Sequence, residues 1–252
     1  MMQQARDKVA VITGASRGLG RGLAETFLER GLQVAVCARS RPDLEHERAL
    51  AVSADVTDER AMTEFAEQVT RHFGRIDLWI NNAGVLEPIG PVRDVASAEV
   101  ARHLEINVLG VLHGTQAFVR VLRRSRAGDG SDRGVLINVS SGAARGAYEG
   151  WGAYCAGKAA VDRLTEVVAL EESGFLRAHS VAPGVIDTDM QATIRSKSED
   201  EFPMVERFRE MKKAGVFSSA EEVADGFLRI AQAEDLGVIL DLRTAFSAPA
   251  QE

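Results

Sequence analysis

Cysteine is scarce in this chain of 252 residues. Cys37 and Cys155 are the only two, and both fall inside the patterns of regular elements, which argues against a disulfide scaffold. Long apolar runs are missing as well. No stretch approaches the ~18 residues of a spanning helix, and the opening MMQQARDKVAVITGAS lacks the apolar core of a signal peptide. A cytoplasmic protein with no membrane partner is therefore expected. Positive charge is not in excess. The formal net charge is −7 and the pI about 5.4, which argues against nucleic acid or an anionic membrane as the main partner. The five histidines (His46, His72, His103, His113 and His179) form no ligand-spaced pair, so no metal site is expected. No linker rich in Pro, Ser or Gly divides the chain, and one domain over residues 1–252 is the simplest organisation. The composition, 45% hydrophobic and 27% charged, is that of a globular protein.

What is present is an alternation of short apolar runs with helical periodicity. Strands are expected near 8–13, 32–37, 49–55, 76–80, 135–139, 178–181 and 237–242. Helices are expected from Leu19 to Gly31, Thr57 to Phe73, Ala96 to Arg124, Gly152 to Ser173 and Glu221 to Ala233. The apolar runs are continuous rather than alternating, the pattern of a parallel sheet covered on both faces. The expected fold is α/β, a doubly wound domain on a seven-stranded parallel sheet. Between Arg39 and Ala49 there is little room for a helix. Residues 126–133 read as a solvated loop, and 187–216, charged and irregular to helical, as a substrate lid.

Sheets of this kind bind ligands at the carboxyl ends of their strands. The unusual residues fall there. Thr13-Gly-Ala-Ser-Arg-Gly-Leu-Gly20 joins the first strand to the first helix. Its backbone, through Gly14, Ser16, Arg17, Gly18, Leu19 and Gly20, suits a phosphate at a helix N-terminus. The spacing G-x3-G-x-G differs from the G-x-G-x-x-G fingerprint, and no Lys-Ser/Thr follows, which excludes a P-loop. After the second strand stands Arg39, with Ser40 and Arg41 behind it, where an NAD-binding chain carries an acid. Arginines suit a 2′-phosphate, so NADP(H) is the expected cofactor.

Tyr154 and Lys158 are four residues apart at the start of a helical pattern and share one face. A phenol titrates near ~10, and must drop by roughly 3 units, about 4 kcal/mol, to exchange protons near neutrality. One positive charge at ~4 Å with an effective dielectric of ~20 supplies about that much. Lys158 is therefore expected to depress Tyr154. Around Ser141 there is no G-x-S-x-G elbow, so a serine hydrolase is unsupported.

Over nearly its whole length the sequence resembles the short-chain dehydrogenase/reductases. The residues that carry the likeness are Thr13-Gly-x3-Gly-x-Gly20, Asp55-Val56, Asn81-Asn-Ala-Gly84, Asn107, Ser141, Tyr154-x3-Lys158 and Pro183-Gly-x3-Thr188, in the order and spacing of that family. Gly150-Trp-Gly-Ala-Tyr-Cys-Ala-Gly-Lys158 and Pro183-Gly-Val-Ile-Asp-Thr-Asp-Met190 are similar to the sepiapterin reductase and benzil reductase branch.

The resemblance implies a Rossmann-type fold and a role for each residue. Tyr154 would protonate a carbonyl oxygen as hydride arrives, Ser141 (rather than Ser140) would hydrogen-bond that oxygen, and Lys158 would support Tyr154 and hold the nicotinamide ribose. Asn107 would hold a water leading from Lys158 to solvent. Asp55 and Val56 would contact adenine, and Asn82, Ala83 and Gly84 the adenosine side. Pro183, Gly184, Ile186 and Thr188 would line the carboxamide and phosphate region. Trp151 is expected to wall the substrate site, with Leu86, Glu149, Met190, Phe202 and Met204 as further pocket candidates. Cys155 is expected in the core.

The implied function is NADPH-dependent reduction of ketones or diketones by a homodimer or homotetramer, packed through helices near 107–124 and 154–173. An NADP-linked alcohol dehydrogenase and a non-catalytic NADP-binding regulator are the alternatives. No acid near the C-terminus offers itself to a pterin, so a pterin reductase is the less expected member of the branch.

Overall fold

The computed structural model describes residues 8–125 and 133–246. All but the last residue of the loop at 126–133, and both termini, lie outside that range. Seven parallel strands form one sheet in the order β3-β2-β1-β4-β5-β6-β7. They are β1 (Val9–Thr13), β2 (Gln33–Ala38), β3 (Ala49–Ser53), β4 (Leu78–Asn81), β5 (Gly134–Val139), β6 (Leu176–Ala182) and β7 (Ile239–Asp241). The expected seven-stranded, doubly wound sheet is thus present. Between β2 and β3 no helix forms, as the short spacing there requires.

Side chains alternate across each strand, so the two faces carry separate cores. Ala10, Ile12, Val34, Val36 and Ile80 pack with Leu23 and Phe27 of α1 (Gly18–Glu29). Val223 and Phe227 of α8 (Ala220–Gln232) join the same face. On the opposite face Val9, Val11, Ala35 and Trp79 meet Met62 and Phe65 of α2 (Glu59–Phe73) and Phe118 of α4 (Gly110–Ser125). Every residue of β1 and β5 is buried, which explains their largely apolar runs.

Helix ends follow local chemistry. Asp58 caps α2 by accepting from the backbone N–H groups of Arg60 and Ala61. Ser219 and Glu222 form a reciprocal capping box on α8. Caps of this kind contribute about 1 kcal/mol each.

The single helix expected over 96–124 is divided. α3 (Ser97–Leu104) passes through a π turn (Glu105–Leu109) into α4. Asn107 sits in that turn, and such bulges often mark functional positions. Residues 187–216 hold two helices, α6 (Asp189–Arg195) and α7 (Val205–Ala214). Between β5 and β6 runs α5 (Gly152–Glu171), the longest helix among the described residues.

Candidate active site

The strand order reverses between β1 and β4, and a cleft of about 670 Å³ opens above that point along the carboxyl edge of the sheet. Its outer end is the glycine turn. Gly14 has φ +70°, and a Cβ there would stand 2.6 Å from the Cα of Ala83. A Cβ on Gly20 would meet the Gly14 carbonyl at 2.6 Å. The turn therefore admits only bare backbone at these points. Asn82 fastens it, with its side-chain amide donating to the Thr13 carbonyl at 2.9 Å. α1 starts without a side-chain cap bond and without an acid in its first turn. Its N–H groups and positive dipole end are left for an anion, so the cradle fits the pyrophosphate of a dinucleotide.

The flanking wall carries Arg39, Asp55 and Val56. Arg39 is exposed at the end of β2 and makes no ion pair among the described residues. Arg41 is turned away, donating to the Ala51 carbonyl at 3.2 Å. Burial alone would raise the Asp55 carboxyl, but the Thr57 N–H (3.0 Å) and hydroxyl (2.9 Å), with the nearby charges of Arg102 and Arg39, hold it below the usual range. Arg17 lines the cleft and donates to Asp189 of α6 at 2.7 Å, joining the glycine turn to that helix. Pro183, Gly184, Ile186 and Thr188 line the same cleft from the end of β6.

At the inner end lie Ser141, Tyr154 and Lys158. Ser141 stands two residues past the end of β5 and caps a short 3₁₀ turn (Gly142–Ala144). Tyr154 and Lys158 occupy the first two turns of α5, and both are buried, at 8% and 7% exposed. Burial pushes the Tyr154 phenol above its ordinary value, while a hydrogen bond with Ser141 pulls it back down. Lys158 donates to the Val139 carbonyl at 2.7 Å, and burial lowers its ammonium to about 8. The expectation that Lys158 depresses the phenol is not met in this state. Desolvation outweighs every other influence on Tyr154, and the ammonium stands 5.7 Å from the ring centroid. Ser140, the rival to Ser141, is engaged elsewhere: its hydroxyl donates to Asp162 at 2.5 Å.

Asn107 does not line the cleft. Its side chain clamps Val85, accepting from the N–H at 2.8 Å and donating to the carbonyl at 2.7 Å. It also meets His103 at 2.8 Å. Trp151 lines the cleft and packs against residues of the 187–216 segment as well. Its indole stacks on Tyr148 (5.3 Å) and on Phe202 (4.8 Å), and Phe208 of α7 tilts against it at 5.3 Å. Leu86 and Met190 reach the cleft, whereas Glu149, Phe202 and Met204 are not among its walls. Cys155 is half-buried at the edge of this aromatic cluster.

A family model described as short chain dehydrogenase matches residues 8–199. The chain belongs to the short-chain dehydrogenase/reductase family. It is 32% identical over 242 residues to a benzil reductase ((S)-benzoin forming) of Bacillus subtilis, covering 92% of this chain and 97% of that protein. Among solved structures, a Burkholderia cenocepacia short chain dehydrogenase in complex with NADP superposes with a TM-score of 0.73 at 29% identity, covering 94% of this chain and 89% of that one. A Brucella melitensis 3-ketoacyl-(acyl-carrier-protein) reductase complexed with NADH gives 0.80 at 27%, covering 93% and 95%. This short-chain dehydrogenase is thus an oxidoreductase of the nicotinamide-dependent alcohol/carbonyl class.

Several residues at or behind the cleft wall of this dehydrogenase carry no sequence motif. His103 lies behind the wall, buried, and its Nδ1 meets the Glu87 carbonyl at 2.7 Å. Its ring lies edge-on to Tyr154 with centroids 6.1 Å apart. Burial, with a contribution from the charge of Lys158, keeps it below its ordinary pKa and hence neutral. Its place four residues before Asn107 was the one signal available. Arg102 and Tyr148 line the cleft itself, and only the folding of α3 and of the 141–151 loop brings them there. At the end of β7 Asp241 is bound by Arg243 at 2.6 and 2.9 Å and is not among the cleft walls.

Proposed function

We propose that this protein is an NADPH-dependent carbonyl reductase acting on ketones or diketones. The reading rests on one juxtaposition: Ser141, Tyr154 and Lys158 at the inner end of a cleft whose outer end is the glycine turn. Bound nicotinamide supplies a hydride to the carbonyl carbon. The chain's own residues manage the oxygen and the proton. Ser141 and Tyr154 share the substrate oxygen as hydrogen-bond donors, and the Tyr154 phenol gives up its proton to it. A phenol held above its ordinary pKa by burial stays protonated at neutral pH, the form a proton donor needs. Lys158 remains charged below about pH 8 and balances the phenolate left behind. Asn107 and His103 hold the Val85 and Glu87 backbone that forms the facing wall. Trp151, seated against Tyr154 with ring centroids 5.4 Å apart, bounds the space for the substrate.

The choice of NADPH comes from residues, since the two cofactor-bound neighbours carry NADP in one case and NADH in the other. Arg39 makes no salt bridge among the described residues, its charge reaching only as far as Asp55 through space, and Arg17 and Arg102, paired with Asp189 and Glu105, stand on the same cleft. The benzil reductase relative supports a diketone as the first substrate to test. Exposed Leu109 (44%), Val167 (41%) and Leu170 (80%) lie on the π turn and α5 and support a homo-oligomer through those helices. Light scattering on Leu170→Glu should show smaller particles than the parent.

The test of the reaction is Tyr154→Phe, with NADPH oxidation followed by absorbance over ketones, diketones and pterins. NADPH binding should persist while turnover falls at least ~10²-fold, the scale of a lost general acid. Unchanged turnover would overturn the mechanism.

A further inference from the structure

Asp162 lies on α5 one turn beyond Lys158, outside every motif that drew attention to the site. One of its carboxylate oxygens accepts two hydroxyl hydrogen bonds, from Ser140 at 2.5 Å and Ser180 at 2.6 Å. Ser140 and Ser180 are both buried, at 5% and 0% exposed. They sit on adjacent strands: Ser140 comes directly after the last residue of β5, and Ser180 lies within β6. Ser140 is flanked by the two residues that touch the reacting pair. Val139 supplies the carbonyl that holds the Lys158 ammonium at 2.7 Å, and Ser141 bonds the Tyr154 phenol.

We propose that Asp162 is a positioning residue for Lys158. Its carboxylate fixes the strand end that presents the Val139 carbonyl, and it keeps a negative charge one helical turn from the buried ammonium. Two hydroxyl donors on one oxygen are what an ionised, acceptor-only carboxylate takes. A buried ammonium is disfavoured by desolvation, and an opposite charge at i, i+4 offsets part of that. Asp162 is the neighbour that raises the Lys158 pKa against its burial.

The other titratable groups near Lys158 act differently. Tyr154 stays neutral on the same helix, and His103 of α3 stays neutral across from it. On β6, His179 is taken up by the Gly237 carbonyl at 2.9 Å, and Arg177 reaches the Ala231 carbonyl at 2.9 Å. Arg145, after the 3₁₀ turn, faces Asp241 at 3.5 Å, and Arg163 pairs with Glu166 at 2.9 Å on the outer side of α5.

The inference rests on the catalytic reading of Lys158, so its test begins with a readout that needs no turnover. Competitive trace-labelling of lysines, followed by mass spectrometry across pH, reports the titration midpoint of Lys158 in the intact protein. Asp162→Asn keeps an oxygen for the two serine hydroxyls and removes the charge. The midpoint should fall by about one pH unit, and Asp162→Glu should restore it. Asp162→Ser, a smaller neutral replacement, should give the same fall and serves if the asparagine variant does not fold.

In turnover, the alkaline limb of kcat/KM should move toward acid by the same amount. A role confined to packing would lower activity evenly at every pH. A Lys158 midpoint in the neutral variants coincident with the parent's would overturn the proposal. A parent protein that reduces no carbonyl, with the midpoint shifted as stated, would overturn the catalytic reading and leave the Asp162–Lys158 coupling standing.

Discussion

The ammonium of Lys158 stands 5.7 Å from the centroid of the Tyr154 ring, while its hydrogen bond runs to the Val139 carbonyl at 2.7 Å. The two side chains share a helix face, yet the lysine is anchored to the strand below rather than to the phenol. Burial then lowers its pKa to about 8. Charge on Lys158 is present below that value and lost as pH rises through it. Carbonyl reduction should therefore decline above about pH 8, measured as kcat/KM with NADPH and a diketone. Lys158→Met should abolish that limb and lower turnover by ~10²-fold, as expected for loss of a charge from the proton-donating pair.

Arg39 projects from the end of β2 beside the cleft with no carboxylate bound to it among the described residues. A charged hydrogen bond to a 2′-phosphate contributes about 2 kcal/mol, or roughly 30-fold in affinity. Arg39→Asp should weaken NADPH by at least that factor and leave NADH unchanged or tighter, read by fluorescence titration of the two cofactors. An equal effect on both would remove the 2′-phosphate argument.

Asn81 is the first residue of the Asn-Asn-Ala-Gly run, and its role is in the core. It accepts from the Trp79 indole at 2.8 Å and donates to Asn138 at 2.8 Å, and Asn138 in turn donates to Thr165 at 2.8 Å. Asn81→Leu would strand the indole N–H and the Asn138 carbonyl in a dry interior. Each unsatisfied group costs about 1–3 kcal/mol, so a loss near ~3 kcal/mol and a fall in Tm of roughly 10 °C are expected. Calorimetry of the parent and the variant measures it.

The two thiols should differ sharply. Cys37 lies fully buried in β2, and desolvation pushes its pKa up to about 12. Cys155 is half-buried at the edge of the aromatic cluster around Trp151. Under native conditions a small alkylating reagent should modify Cys155 and leave Cys37 untouched, as peptide mass mapping would show.

The sequence by itself determined the sheet and the glycine turn, because those depend on local signals. Strand burial writes apolar runs, such as Val9–Ile12 and Val135–Ile137, and phosphate cradles demand glycine where Cβ atoms would collide. The i, i+4 spacing of Tyr154 and Lys158 likewise places them on one face of α5. What the spacing left open was the balance of burial against charge at that pair. That balance depends on how deeply the cleft floor is covered and on where the nearest carbonyl stands.

Only the tertiary structure brought His103 against Tyr154, turned Asn107 toward Val85, and set Trp151 between the cleft and the rings of Phe202 and Phe208. It alone seated Asp162 on two serines from neighbouring strands. These residues are distant in sequence and carry no periodic signature. Their positions follow from which helix faces meet the sheet, a consequence of packing the whole chain at once.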